Sequence, residues 1–232
     1  MDWLGVAQAL FGPDHGIRAD GDFLHGEARL DGQALTVVGT TNHAPIGVAV
    51  ALAQARVVLD TLRDHAGRPI LILIDTQGQQ LRRRDELLGI HRAMAHLGCC
   101  IDLARRRSHR VIGLIYDQAL SGGFITSGLI ADACYALPEA EIRVMRLPAM
   151  ARVTKLAEET LAELSRSNPV FAPGVENYVA MGGVKALWSG ELQAALRDAL
   201  VSAPTTDERA VDGAARGGRR LAAEVTARVL AA

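Results

Sequence analysis

The feature that most constrains this chain is the run Pro69-Ile-Leu-Ile-Leu-Ile74, apolar throughout and ending on Asp75. Continuous rather than alternating hydrophobicity predicts a strand covered on both faces, the situation of a parallel sheet flanked by helices. A second run of the same kind, Arg110-Val-Ile-Gly-Leu-Ile-Tyr116, ends on Asp117. Between them lie a polar loop, Thr76 to Gln80, and a helical pattern from about Arg83 to Arg106, with Leu87, His91, Met94, Gly98, Ile101 and Ala104 near one side. Upstream, Ala34 to Val38 reads as a strand, Gly39 to His43 as a polar turn, and Ala49 to His65 as a helix. That helix is expected to turn Val50, Ala53, Val57, Val58 and Leu62 inward, and Gln54, Arg56 and Arg63 outward. Taken alone, the strand-helix alternation favours a right-handed, doubly wound α/β wrap.

The remainder is less regular. Trp3, Leu4, Val6, Ala7, Leu10 and Phe11 have helical spacing and stop at Gly12-Pro13, and Arg18 to Asp31 alternates like a hairpin with an edge strand. Short strands are expected over Ala131 to Leu137 and Glu141 to Met145. Helices follow Pro148, broken at Ser167 to Gly174, and a further helix spans Glu191 to Leu200. These readings give a main domain over 1–200, a turn-rich linker over 201–218, and a terminal helix over 219–232. Its Leu221, Val225 and Val229 would dock either on its own domain or on a partner.

Composition narrows the function. A net charge of -1 supplies no global field for nucleic acid, and 4% aromatic content offers few stacking platforms for bases or sugars. Three cysteines, two of them adjacent, do not suit a paired secreted framework. No basic-then-apolar opening marks export, and the apolar runs fall short of the roughly 20 residues that a membrane span needs. A soluble, cytoplasmic α/β protein is expected.

Ligands of open α/β folds gather beyond the carboxyl ends of strands, so the loops Asp75-Thr-Gln-Gly-Gln79 and Asp117-Gln-Ala-Leu-Ser-Gly-Gly123 are the first candidates. A helix opening at Ser121-Gly122-Gly123 would present unpaired backbone N–H groups with no Cβ in the way of a ligand oxygen. Such donors suit a developing oxyanion, although a tight turn or a close helix contact explains the same glycines. Neither the dinucleotide glycine spacing, a Gly-Lys-Ser/Thr phosphate loop nor a Gly-x-Ser-x-Gly elbow is present. Ser121 therefore reads as a cap or backbone-linked hydroxyl rather than a nucleophile. His91 and His96 are five apart, poorly placed for chelation on one helix, and no metal is expected. His43 either meets a ligand phosphate or carboxylate or faces solvent. Asp75 and Asp117, at matching strand ends, are read mainly as organisers of their loops. Arg82 to Arg84, and Arg105 to Arg107 with Arg110, are solvated helix ends or a landing surface for an acidic carrier.

Three segments, Ile74-Asp-Thr-Gln-Gly-Gln79, Tyr116-Asp-Gln-Ala-Leu-Ser-Gly-Gly-Phe124 and Asn168-Pro-Val-Phe-Ala-Pro-Gly174, together resemble the carboxyltransferase branch of the crotonase-like superfamily. Within it they are most similar to the gamma subunits of biotin-independent malonate decarboxylases, over about Ala34 to Trp188. The resemblance implies a crotonase-like β-β-α spiral superhelix with a C-terminal helical extension, in place of the doubly wound picture. It implies an obligatory beta subunit sharing the active site, a delta acyl-carrier subunit bearing a phosphoribosyl-dephospho-coenzyme A arm, and an alpha acyl-transferase subunit, with no cofactor bound by this chain itself. The implied reaction takes malonyl-S-acyl carrier to acetyl-S-acyl carrier and carbon dioxide. Gly122 and Gly123 would be the oxyanion donors, Gln77, Gly78 and Ser121 would border the acyl site, and His43 or nearby basic residues would meet the carrier arm. Gln77 stands where related biotin-dependent enzymes commonly have proline, which favours the biotin-independent branch. A subunit of a biotin-dependent acyl-coenzyme A carboxyltransferase and a non-catalytic scaffold completing its partner's site are the alternatives.

Overall fold

The structure, a computed structural model, describes residues 1–145, 147–167, 174–219 and 221–232. In chain order the elements are α1 (Trp3–Phe11), β1 (Gly16–Asp20), β2 (Phe23–Leu30), β3 (Gln33–Thr40), β4 (Pro45–Ile46), α2 (Val48–Asp64), β5 (Ile70–Thr76), β6 (Gly78–Gln79), α3 (Arg83–Leu87) and α4 (Ile90–Arg106). They continue as β7 (Val111–Leu120), α5 (Ser121–Ile125), a 3-10 turn (Gly128–Ile130), β8 (Ala133–Ala136), β9 (Glu141–Arg143), α6 (Leu147–Thr154), α7 (Glu158–Ser167), α8 (Val175–Ala180), β10 (Ala186–Leu187), α9 (Leu192–Ser202), α10 (Arg209–Ala215) and α11 (Ala222–Leu230).

The main sheet runs β1-β2-β3-β5-β7-β8-β10, antiparallel through β3 and parallel from there on. A second, shorter set of strands follows the first. β4 pairs in parallel with β6, and the distal part of β7, Gln118 to Leu120, pairs with β9 after a register shift between Ile74 and Thr76. β3, β5 and β8 are each followed by a short strand, β4, β6 and β9, and then a helix, which is the β-β-α spiral. Simple alternation of strand and helix could not reveal it, because two-residue strands carry no periodic signal.

Alternation along the long strands sorts the core. Leu71, Leu73, Ile112, Leu114 and Tyr116 face Val6 and Leu10 of α1 and Leu192 and Leu196 of α9. Ile70, Ile72, Ile74, Val111 and Ile115 face Val58 of α2, Leu97, Ile101 and Ala104 of α4, and Phe124 of α5. Burying such a side chain is worth about 1.5–3 kcal/mol, which accounts for the unbroken apolar runs.

The sequence reading fails in several details. Gly89, at φ 77°, interrupts the expected single helix into α3 and α4, so Leu87 is exposed rather than on the core face. On α2 the packed side is Ala51, Gln54, Ala55 and Val58, which places Gln54 inside; small alanines let the helix approach closely, and among the described residues Gln54 Nε2 has no hydrogen-bond partner. Residues 201–218, expected as a linker, carry α10, anchored by Lys185 Nζ between Glu208 Oε2 at 2.9 Å and Asp212 Oδ2 at 3.0 Å. No residue of α11 is buried. Most of the expected break from Ser167 to Gly174, residues 168–173, and with it most of the third resemblance segment, lies outside the described residues. Among the described residues, no helix is long and apolar enough to cross a membrane.

Candidate functional site

The end of β7 turns sharply into α5. Ser121 holds φ 51°, a left-handed conformation unusual for a residue with a side chain, and its Oγ donates to Val144 O at 2.7 Å. That bond ties the turn to the chain leaving β9 and makes the hydroxyl a backbone-linked brace, one of the two roles read from the sequence; it does not cap the helix, whose N-cap is Leu120. Gly122 and Gly123 follow, and their carbonyls are held from behind. Gly122 O accepts the Thr126 N–H at 3.0 Å and Thr126 Oγ1 at 2.9 Å, while Gly123 O accepts Ser127 Oγ at 2.8 Å. A trans peptide points its N–H opposite to its carbonyl, so anchoring Gly122 O fixes the direction of the Gly123 N–H. The N–H groups of a first helical turn have no intrahelical partner.

The Gln77-Gly78 loop meets this turn. Gly78 adopts φ 105°, and Thr76 Oγ1 stiffens the loop by accepting the Gly78 N–H at 3.0 Å and donating to Ala44 O at 2.6 Å. A Cβ on Gly123 would lie 2.9–3.0 Å from the Gly78 backbone and 2.9 Å from Ile46. Gly78 and Gly123 are therefore glycines for a shared reason, the backbone-to-backbone packing of two loops. Gly122 differs, because a Cβ there meets only side-chain ends, Gln79 Oε1 at 3.1 Å and Met94 Cε at 3.6 Å. Its N–H donates to Gln79 Oε1 at 3.2 Å. An amide oxygen of the chain itself thus sits where a ligand carbonyl would accept the same bond. Gln77, one residue from Gly78, is exposed.

His43 is placed elsewhere. Its backbone N–H donates to Asp75 Oδ2 at 2.9 Å, and its Nε2 lies 3.3 Å from Asp117 Oδ2 and 3.6 Å from Asp75 Oδ1. Asp75 follows Leu71 and Leu73 on the α1 face of β5, whereas Thr76 follows Ile70, Ile72 and Ile74 on the α5 face. Asp75 and Thr76 thus leave β5 on opposite faces of the sheet. Burial pushes the Asp75 carboxyl above its ordinary range, against the pull of the His43 N–H and ring, and the Asp117 charge adds to the rise. Two carboxylates thus flank the half-exposed ring, which the sequence reading had left between a ligand contact and a solvent-facing loop position.

The segment that follows the 75–79 loop, with Ile125 at the end of α5, exposes apolar and basic side chains. Leu81, Leu87, Leu88 and Ile125 are exposed, as are Arg82, Arg83 and Arg84. Asp85 is buried beneath them, accepting the Val48 N–H at 2.9 Å and lying 3.3 Å from Arg82 Nε, so it secures the start of α2 to α3. Two grooves of about 710 and 650 Å³ lie along α4 and at the opposite ends of β5 and β7, and neither includes the glycine turn.

Sequence reasoning singled out both glycines and the 75–79 loop but gave Gln79 and Thr76 no role of their own, because those roles depend on two loops meeting. It singled out His43, Asp75 and Asp117 separately; the matching strand ends signalled the two aspartates, and nothing in the spacing joined His43 to them.

The family model for the malonate decarboxylase gamma subunit matches residues 41–232. The chain belongs to that family. The structure of a Pseudomonas malonate decarboxylase hetero-tetramer in complex with coenzyme A superposes with a TM-score of 0.81 at 24% identity, covering 98% of this chain and 97% of that one. A Pseudomonas MdcD-MdcE hetero-dimer of malonate decarboxylase gives 0.76 at 25% identity with the same coverage. The malonyl-S-ACP:biotin-protein carboxyltransferase MADD of Malonomonas rubra is 36% identical over 123 residues, 52% of this chain and 42% of that protein. The chain thus spans less than half of that curated relative's length. In this gamma-subunit chain the described motifs, Asp75 to Gln79 and Asp117 to Phe124, fall inside the matched span.

Proposed function

We propose that the chain is the gamma subunit of a biotin-independent malonate decarboxylase and acts with a beta subunit on a malonyl thioester. The observation that carries this reading is the braced Ser121-Gly122-Gly123 turn, with its Gly122 N–H on a carboxamide oxygen, inside a gamma-subunit family match that covers most of the chain. The substrate thioester oxygen replaces Gln79 Oε1 on Gly122 and takes a second hydrogen bond from the Gly123 N–H. As the malonyl C–C bond breaks, its electron pair passes through the carbonyl to this oxygen, carbon dioxide leaves, and the enolate is held by the two donors. Protonation at carbon then yields the acetyl thioester. Losing one such donor costs about 2.7–4 kcal/mol in oxyanion sites of this type.

The thioester is carried on a delta acyl-carrier subunit by a phosphoribosyl-dephospho-coenzyme A arm, and an alpha subunit loads it. The exposed Leu81, Leu87, Leu88 and Ile125 fit coverage by the beta subunit, and Arg82 to Arg84 fit an acidic carrier. Gln77 and Gly78 border the acyl group, Ser121 positions the turn, and the assembly is cytoplasmic.

The identity with a biotin-protein carboxyltransferase supports a second reading, transfer of the carboxyl group to biotin. One assay separates the two: carbon dioxide released from malonyl-loaded carrier by the chain with its beta subunit, with and without a biotinylated acceptor. Release without biotin, reduced about tenfold or more by Gln79→Glu, is the expected result, because an anionic oxygen holds the Gly122 N–H more tightly and repels the malonyl carboxylate. Carboxyl groups recovered on the biotinylated acceptor, with no carbon dioxide released in its absence, establish the carboxyltransferase reading. Release unaffected by Gln79→Glu removes this turn from the reaction.

A further inference from the structure

The loop leaving β3 holds two consecutive non-glycine residues in left-handed conformation, Asn42 at φ 57° and His43 at φ 51°. Such a backbone costs of order 1–3 kcal/mol per residue unless its surroundings enforce it. Here Asn42 Nδ2 donates to Asp22 Oδ1 at 3.0 Å and the His43 N–H to Asp75 Oδ2 at 2.9 Å, so the loop is pinned to the β1–β2 turn and to the end of β5. The pinned shape delivers the imidazole to two carboxylates. The Asp75 side chain is only 3% exposed, and its Oδ1, 3.6 Å from His43 Nε2, has no hydrogen-bond partner among the described residues. Burying a carboxylate oxygen unpaired is costly, and a second carboxylate beside it adds repulsion.

One nitrogen and two carboxylate oxygens, one from each side chain, all lie within 4.8 Å of one another, and the nitrogen is 3.3 and 3.6 Å from its two oxygen neighbours. Ligand atoms bound at about 2.0–2.2 Å to one first-row ion stand about 3–3.5 Å apart at adjacent positions, so small side-chain rotations close the set. We propose that His43 Nε2, Asp75 Oδ1 and Asp117 Oδ2 form a site for a divalent transition-metal cation of the Zn²⁺ or Mn²⁺ type. A single imidazole with two carboxylates suits such ions better than Ca²⁺, which takes six or more oxygens, and the two negative charges balance the ion. Water completes the coordination on the exposed side, since His43 and Asp117 are each about half exposed. The ion joins three segments distant in the chain. The site shares no residue with the proposed oxyanion donors, Gly122 and Gly123.

Co²⁺ is the probe, added to the full-length chain in the assembly in which it is isolated and followed by d–d absorption. The expected result is one Co²⁺ per chain, displaced by Zn²⁺, without the thiolate charge-transfer absorption that Cys99 or Cys100 would give. His43→Asn, which keeps a residue tolerant of left-handed backbone, and Asp117→Asn, at an exposed position, should each weaken binding about tenfold or more. Each should also remove the Co²⁺-dependent rise in the thermal midpoint. No Co²⁺ spectrum in the folded wild-type protein, or one unchanged in both folded variants, overturns the proposal.

Discussion

At the scale of single residues, two adjacent glycines that look equivalent in the sequence do different work. Gly123 is backed by the Gly78 backbone, whereas Gly122 faces only the ends of Gln79 and Met94. Gly123→Ala is therefore expected to destabilise the chain by about 1–3 kcal/mol through overpacking, and Gly122→Ala by less than about 1 kcal/mol; midpoints of denaturant unfolding distinguish them. Asp85 gives a second test. Its buried carboxylate holds the Val48 N–H, so Asp85→Ala, which leaves that donor unpaired, should cost about 1–3 kcal/mol by the same measurement. The sequence made the glycine turn legible because its chemistry is in the backbone and its spacing is local. Gln79 was not legible, since a side chain reaching 43 residues along the chain to Gly122 follows only from the pairing of β6 and β7 with their neighbours.

At the scale of elements, the long strands could be read directly because burial on both faces leaves an unbroken apolar run. The two-residue β4 and β6 could not, and with them went the spiral, which came only through resemblance. The division of α3 from α4 rests on one left-handed glycine that helical periodicity overlooks. In the 201–218 stretch, turn-forming composition concealed α10, whose packing relies on side-chain anchors. Arg209 bonds both oxygens of Asp207 and also donates to Leu129 O. The bond from the Arg209 guanidinium holds the Asp207 carboxyl down at about 2, against the opposing effect of burial. A carboxyl lowered in the folded state contributes stability that is present above its unfolded value of about 3.9 and disappears as pH falls toward 2. The group is 57% exposed, so solvent screening limits the effect to under about 1 kcal/mol. Asp207→Asn should accordingly reduce the loss of stability between about pH 4 and pH 2, as measured by acid titration at fixed denaturant.

At the scale of the whole molecule, one sheet separates two apolar layers, and its carboxyl edge presents different chemistry on either side. The exposed leucines and arginines that follow the 75–79 loop lie, in the proposed assembly, under the beta subunit. Leu87 touches little of its own chain, being 76% exposed. Leu87→Asp should leave the thermal midpoint of the isolated chain within about 2 °C of wild type while weakening co-elution with the beta subunit on size exclusion.

Consecutive residues of β5 serve the two sides, Asp75 turning its carboxylate toward His43 and Thr76 turning its hydroxyl toward Gly78. A strand has a period of two, so inserting or deleting one residue ahead of this pair would exchange their faces and dismantle both arrangements at once. Length variation in this chain is thus barred from the middle of β5 and is tolerable in the loop before it, at Gly67 and Arg68, where the strand can still be entered in the same phase.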